Sequence, residues 1–339
     1  MSGNLADIVL TDLLEPVVLL LSVGATTILT ETYRPFAGSV TIKLREIVHN
    51  YLEVSIPDYL DTVYHQTPGY ATFSVDLISG VSEEEFDFTA IKGFLQRPDF
   101  DVELFVRQNW LTFQPRDKRV EFHDPEWLTC YPLENSVVRI EATFADETTS
   151  VITYASLEAN KLQSVKLQPG EVMGLFPEDP VSYKVWVEVS GQKRQYEQKY
   201  IIDTPTNPLF NDVFVFENRF GGVDTIRFTG QKRFNHGADI ASALFDEYDL
   251  EYYAHPELTV DKNTGFFKSE KQRLFALDFF RSINKYHVFN GRPARILTSD
   301  LLLESIPGQL ASYSFSFQYS DFKDNMPEYG DHNKNILIF

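Results

Sequence analysis

Along most of this 339-residue chain apolar and polar positions alternate with period two, the spacing of a half-buried strand. The alternation is sharp in 213–216, where Phe214 and Phe216 share one face and Val213 and Val215 the other, and in 224–229, where Ile226 and Phe228 alternate with Thr225, Arg227 and Thr229. Asn218, Arg219, Gly221 and Gly222 separate the two runs, so the pattern predicts two strands joined by a glycine turn that opens the last module.

Earlier in the chain, 17–21 and 26–32 read as strands parted at Gly24, and 40–43 alternates again. Leu44, Ile47, Val48, Tyr51 and Leu52 then fall at i, i+3, i+4, i+7 and i+8, which predicts an amphipathic helix of two to three turns stopped by Pro57. Strand patterns resume at 70–78 and 100–106, and Glu83, Glu84 and Glu85 are expected in a solvated loop between them. The runs 137–144, 149–154, 181–189 and 195–202 are spaced by turns such as Pro169-Gly170 and Gly191-Gln192, the layout of a small sandwich of immunoglobulin or fibronectin type. Val185, Val187 and Val189 alternate there with Trp186, Glu188 and Ser190, so Trp186 is expected in a core or edge-covering role, with partial exposure as the alternative. Residues 203–208, with Pro205 and Pro208 and no large apolar residue, read as a linker.

In the last module Ser269-Glu270-Lys271-Gln272 has the form of a capping box, and Leu274, Phe275, Leu277, Phe279, Phe280 and Ile283 give the following helix a broad apolar face. The runs 285–289, 294–298 and 312–319 read as strands, with a hairpin at Asn290-Gly291. In 312–319 Tyr313, Phe315, Phe317 and Tyr319 alternate with Ser312, Ser314, Ser316 and Gln318, so one face is wholly aromatic and is either core or subunit contact. A polar stretch, 321–335, precedes Ile336, Leu337, Ile338 and Phe339, which either return to their own core or add a strand to another subunit's sheet edge. The expected fold is mainly β (β-rich α+β), built of tandem β-sandwich modules, the first and third each with one amphipathic helix. The boundaries are 1–122, 123–208 and 209–322, with a polar tail 323–339 ending in apolar residues.

Composition supports sheet: aromatics reach 14%, with 28 Phe and 17 Tyr, while Met is only 3. The formal charge of −19, from 49 acidic against 30 basic residues, opposes direct binding to a nucleic-acid backbone, which needs cations to replace counterions. One cysteine, Cys130, excludes an internal disulfide and a thiolate-rich metal site. The first fifteen residues carry Asp7, Asp12 and Glu15 and no Lys or Arg, unlike an export signal; 16–30 is uncharged but interrupted by Gly24 and too short to span a bilayer as a helix. Synthesis in the cytoplasm without a membrane span is expected.

Chemistry-bearing spacings are sparse. The seven histidines, at 49, 65, 123, 236, 255, 287 and 332, show no ligand spacing, and Gly221-Gly222 precedes a strand, whereas phosphate-cradling loops open a helix. Asp261-Lys262-Asn263-Thr264-Gly265 reads as a plain turn, since Gln272 stands where a calcium loop needs its bidentate Glu. Arg116, Lys118, Arg119 and His123 lie beside Trp110 and Phe113; a turn with solvated charges is expected, an aromatic-basic ligand site being the alternative. No catalytic, metal or cofactor-binding residue is assigned.

The turn Asn218-Arg219-Phe220-Gly221-Gly222, followed by a strand ending Phe228-Thr229-Gly230, resembles the "N-S/R-F-G" turn and "T-F-x-F-T-G" strand of structural proteins from Bacteroidetes phages and prophages. Arg34-Pro35-Phe36-Ala37-Gly38-Ser39-Val40 with Lys43-Leu44-Arg45-Glu46-Ile47-Val48 is similar to that family's N-terminal strand and helix. Trp110-Leu111-Thr112-Phe113-Gln114-Pro115-Arg116 is similar to its "F-L-T-x-R-P-R" segment, with Gln114 in place of a basic residue. The last module resembles those of tail-tube and distal-tail proteins, which join neighbouring sheets into rings. The resemblance implies a non-enzymatic virion protein of the tail or baseplate region, located in the virion. It would act as a ring or adaptor through copies of itself and other virion proteins, and Tyr313, Phe315, Phe317, Tyr319, Ile336, Leu337, Ile338 and Phe339 are the candidate assembly residues. The second expectation is a carbohydrate-binding sandwich or tail adhesin whose Trp110, Trp127 and Trp186 stack on sugars, so glycan contact is kept as a partner class. A glycoside hydrolase or esterase of unrecognised type ranks last; among 49 acidic residues chance carboxylate pairs are inevitable, and their separation is invisible in sequence.

Overall fold

The computed structural model describes residues 1–57, 60–94, 101–203, 210–245, 248–289, 292–304 and 311–320, with the side chains of 236–257, 289 and 304 excepted. In chain order the elements of the N-terminal part are β1 (Ile8–Leu10), β2 (Val17–Val23), β3 (Thr26–Tyr33), β4 (Val40–Ile42), α1 (Arg45–Tyr51), β5 (Val63–His65), β6 (Tyr70–Ser79), β7 (Ser82–Ile91), α2 (Val102–Gln108) and β8 (Asp117–Val120). The middle part holds β9 (Trp127–Cys130), β10 (Ser136–Thr143), β11 (Thr149–Leu157), β12 (Gln163–Lys166), α3 (Pro169–Met173), β13 (Ser182–Val189), β14 (Gln192–Lys193) and β15 (Gln198–Ile202). The last part holds β16 (Asp212–Glu217), β17 (Val223–Phe228), β18 (Lys232–Phe245), β19 (Tyr248–Asn263), α4 (Glu270–Arg281), β20 (Lys285–Phe289), β21 (Arg292–Glu304) and β22 (Ser312–Tyr319). The fold is mainly β, as the alternation predicts. The Asn290-Gly291 turn, most of the 203–208 linker and the tail from 321 onward lie outside the described residues.

Two compact units form: Met1–Asp203 with Glu217–Asp224, and Thr204–Phe216 with Thr225–Phe339. In the first, strands β3-β2-β6-β7 make an antiparallel sheet whose inward residues, Leu19, Leu21, Phe73 and Val75 among them, pack on Val40 and Ile42 of β4, Val48 of α1 and Leu52 just after it. Each such buried side chain contributes about 1.5–3 kcal/mol. The helix ends at Tyr51, well before Pro57, because Glu53 donates its N–H to the Pro68 carbonyl at 2.9 Å and the chain leaves in extended conformation. The middle of this unit is a sandwich: β11-β10-β13-β15-β8, with β14 on β13, faces β5-β12-β9 across a core containing Val138, Ile140, Val185, Leu128 and Val165. Strands β5 and β8 come from before residue 122, and β8 pairs in parallel with β15, so the expected boundary at 122 cuts through a shared core.

Three local expectations change. Residues 102–108 form helix α2 rather than a strand, since Asp101 caps it by accepting the Leu104 N–H at 2.9 Å and Val102, Phe105 and Val106 lie on one helical face. Glu83, Glu84 and Glu85 sit in strand β7, not a loop, all exposed at the sheet edge. The basic run is solvated only in part: Arg116, Arg119 and His123 are exposed, Arg119 meeting Asp203 at 3.0 Å, whereas Lys118 turns inward from β8 to Glu126, 2.6 Å away.

The turn 217–224 belongs to the first unit. Asn218, 3% exposed, uses both ends of its amide: Nδ2 donates to the Leu111 carbonyl (2.7 Å) and to Asp224 (2.8 Å), and Oδ1 accepts the N–H groups of Phe220 (2.9 Å) and Gly222 (3.0 Å). A Cβ on Gly221, at φ +79°, would overlap the Lys92 carbonyl, and one on Gly222 would overlap that of Leu111. Phe220 completes a small cluster with Ile91, Val106, Leu111, Tyr131 and Leu162. Replacing Asn218 with Ala strands several buried backbone groups at once, and at about 1–3 kcal/mol per unsatisfied group the loss is expected to exceed ~3 kcal/mol in urea unfolding.

Candidate assembly surface

In the second unit seven strands follow the order β17-β16-β20-β21-β22-β19-β18, with α4 on one face. The helix starts as its sequence dictates: the Ser269 hydroxyl accepts the Gln272 N–H at 3.3 Å, and Gln272 reaches back to the Lys268 N–H at 2.7 Å. Phe275 and Phe279 point inward, whereas Ile283 lies beyond the helix end and is 83% exposed. Phe279 stacks edge-on or tilted against Phe214, Phe216, Phe228 and Phe315, at centroid distances of 5.3–6.0 Å. Tyr313, Phe315 and Phe317 are 3%, 2% and 1% exposed in this core. That aromatic face is therefore spent on the unit's own packing and offers no subunit contact. Tyr319 is half-buried and bonded to His287, and Ile336, Leu337, Ile338 and Phe339 lie outside the described residues.

Beside the aromatic core lies a cluster of titratable groups. The Asp212 carboxylate, at the start of β16, meets Lys262 Nζ of β19 at 2.7 Å, Lys232 Nζ of β18 at 2.7 Å and His287 Nε2 of β20 at 3.1 Å. His287 Nδ1 in turn meets the Tyr319 hydroxyl of β22 at 2.6 Å. Lys262 also donates to the carbonyls of Phe210 (2.6 Å) and Gly230 (2.9 Å). Five strands thus converge on one acid. Burial would raise the Asp212 pKa, but the His287 hydrogen bond and the charges of Lys262 and Lys232 outweigh it and hold the carboxyl below the usual range. Burial pulls the Lys262 ammonium down against the pull of Asp212. The side chains of Asp212, Lys262 and His287 are 3%, 0% and 5% exposed, so the cluster ties strands together as a clamp.

Lys232 and Lys262 are cross-strand partners, which places the clamp at the foot of the β18–β19 hairpin. From there β18 and β19 pair along their whole length to Phe245 and Tyr248, while β22 joins β19 only over Val260–Asn263. The remainder is a two-stranded arm roughly 35–40 Å long at about 3.4 Å per residue. Among the described residues β18 has a neighbour on one side only, and the sequence Lys232 to Phe245 carries carboxylate charge at Asp239 alone. On the opposite side of the same block, β21 pairs with β20 through Arg292–Arg295, so among the described residues its continuation to Glu304 is bonded to β22 alone. Leu297, Leu301, Leu302 and Leu303 on that stretch are 59%, 47%, 61% and 47% exposed.

The other expected residues are placed otherwise. Trp110, Trp127 and Trp186 are 4%, 0% and 8% exposed, with Lys193 Nζ lying 4.3 Å over the Trp186 ring, so none presents a face to a sugar. Asp261, Lys262 and Asn263 form the end of a strand, not a turn. Gln114 is buried and bonds the Tyr200 hydroxyl at 3.1 Å and Lys118 Nζ at 3.1 Å. Cys130 is fully buried, and burial pushes its thiol pKa up. No cluster of three metal-ligating side chains, and no helix long and apolar enough to cross a membrane, occurs among the described residues. A groove of about 430 Å³ in the first unit, flanked by Ser156, Glu158 and Glu188, is open, and His65 Nε2 lies 3.6 Å from the Glu158 carboxylate.

No protein-family model and no curated protein matches the chain. The arm and its clamp escaped the sequence reading because 232–263 alternates weakly. The one available signal was Lys262, which continues the inward positions Leu258 and Val260. Replacing Asp212 with Asn leaves Lys262 buried without its counter-charge and is expected to cost about 3–5 kcal/mol at pH 7. Because the folded pKa of Asp212 is depressed, its contribution is full above the unfolded carboxylate value near 4 and is lost as pH falls below it toward the folded value. The gap between wild type and Asp212→Asn in urea unfolding is therefore expected to narrow on acidification below about pH 4.

Proposed function

We propose that this chain is a structural subunit that works by assembling with copies of itself, as a ring or adaptor in the tail or baseplate region of a phage or prophage particle. One observation carries the assembly part: among the described residues the block β21-β22-β19-β18 has an unpaired edge on each side, the long β18 and the leucine-bearing end of β21. A two-stranded ribbon is marginal in water on its own and gains stability when a further strand covers it. Pairing β18 of one copy with the β21 edge of the next is a heterologous contact, which closes into a ring when the rotation per subunit permits. Main-chain bonds supply the affinity, and Leu301 and Leu302 leave water at the joint. The particle assignment is supported by the three motifs shared with phage structural proteins.

Light scattering on the purified chain tests the reading. A closed oligomer that withstands dilution is expected, and Leu301→Lys with Leu302→Lys is expected to give monomers of unchanged melting temperature, because both side chains are exposed and lysine blocks edge pairing. A wild type that is monomeric at every concentration and salt, or a chain missing from purified particles of its own genome, refutes the proposal.

A further inference from the structure

In the first unit three turns meet at one end of the β3-β2-β6-β7 sheet. Val17 pairs with both Tyr33 and Ser79, and Ser79 with Ser82, so the segments 11–16, 34–39 and 80–81 emerge side by side. They touch: Leu13 donates its N–H to the Gly38 carbonyl at 2.9 Å, and a Cβ on Gly80 would overlap the Glu15 carboxylate. Each turn carries one large apolar side chain at its tip. Leu14 is 99% exposed, Phe36 87% and Val81 108%. Phe36 is held there by a two-residue turn in which Ala37 (φ 50°) and Gly38 (φ 76°) are both left-handed, with paired hydrogen bonds between Phe36 and Ser39. With strands about 4.8 Å apart, the three tips span roughly 14 Å. Single exposed apolar residues are ordinary, but three projecting from adjoining turns, with no packing against one another, form a contact surface waiting for a partner.

The surroundings select the partner. Asp12, Glu15 and Glu83 are exposed around the tips, against Arg34 as the basic residue of these turns. An acidic rim is repelled by an anionic membrane leaflet and by the equally acidic tip of a second copy. We infer that Leu14, Phe36 and Val81 form a docking tip for a different protein, one that offers an apolar recess ringed by Lys and Arg. This contact is separate from the lateral pairing proposed for the second unit and stands or falls independently of it.

Photo-cross-linking in the cells that produce the protein tests it, with p-benzoylphenylalanine in place of Phe36 in the full chain and mass spectrometry of the adduct. The expected result is one peptide of one other protein, apolar and flanked by basic residues. The adduct is expected to fall at least tenfold when Leu14→Ser and Val81→Ser are added, with melting temperature and oligomer mass unchanged. Adducts on this chain's own peptides, on lipid or scattered over many proteins, or no adduct at all, overturn the inference. A failure here leaves the oligomer mass as measured, so it is distinguishable from failure of the assembly proposal.

Discussion

The second unit depends on a single buried carboxylate. Asp212 pairs with two lysines and bonds a histidine, and the groups it contacts lie on β18, β19, β20 and, through His287, β22. Removing charges from water is costly, and a buried pair is weak support for stability against a well-packed apolar alternative. What such a cluster does supply is register. Lys262, 0% exposed at the side chain, meets its acid Asp212 only in this register, so a slip of β19 by one residue would turn it to the wrong face and bury Asp261 instead. The hairpin arm therefore leaves the sheet from a fixed foot, and its unpaired edge is presented in one orientation.

The sheets differ in how they treat their edges. Strand β7 exposes Glu83, Glu84, Glu85 and Asp87, a density of like charge that deters any further strand. Strand β18 has no comparable run, and β21 offers leucines where β7 offers carboxylates. Protection of one edge and exposure of others within one chain is what directed association requires, since an acidic protein otherwise keeps its copies apart by charge.

Legibility in the sequence followed how far each element is decided by its own residues. Strands with strict alternation, the capped helix α4 and the glycine turn were readable because local pattern and burial agree. Helix α2 was misread as a strand since Val102, Phe105 and Val106 fit both periods over so short a run, and the deciding group, Asp101, acts through one capping bond. The aromatic stripe of β22 announced burial but not what it was buried against; α4 and β16 answer that, over a sequence separation no pattern reveals. The assembly edges were illegible for a related reason: an unpaired strand looks like a paired one until its neighbours are known.

The turn that carried the family resemblance also explains how far that resemblance extends. Every distinctive residue in it has a backbone reason: Asn218 replaces main-chain partners, Gly221 takes a left-handed angle, Gly222 leaves room for a carbonyl, and Phe220 fills a small cluster. None meets a groove or an open titratable group. A motif built this way specifies a fold junction, and two proteins sharing it share an architecture before they share a task. Contacts with other molecules are proposed for surfaces the motif does not include: two edges of one block that are unpaired among the described residues, and three apolar tips at the end of another sheet.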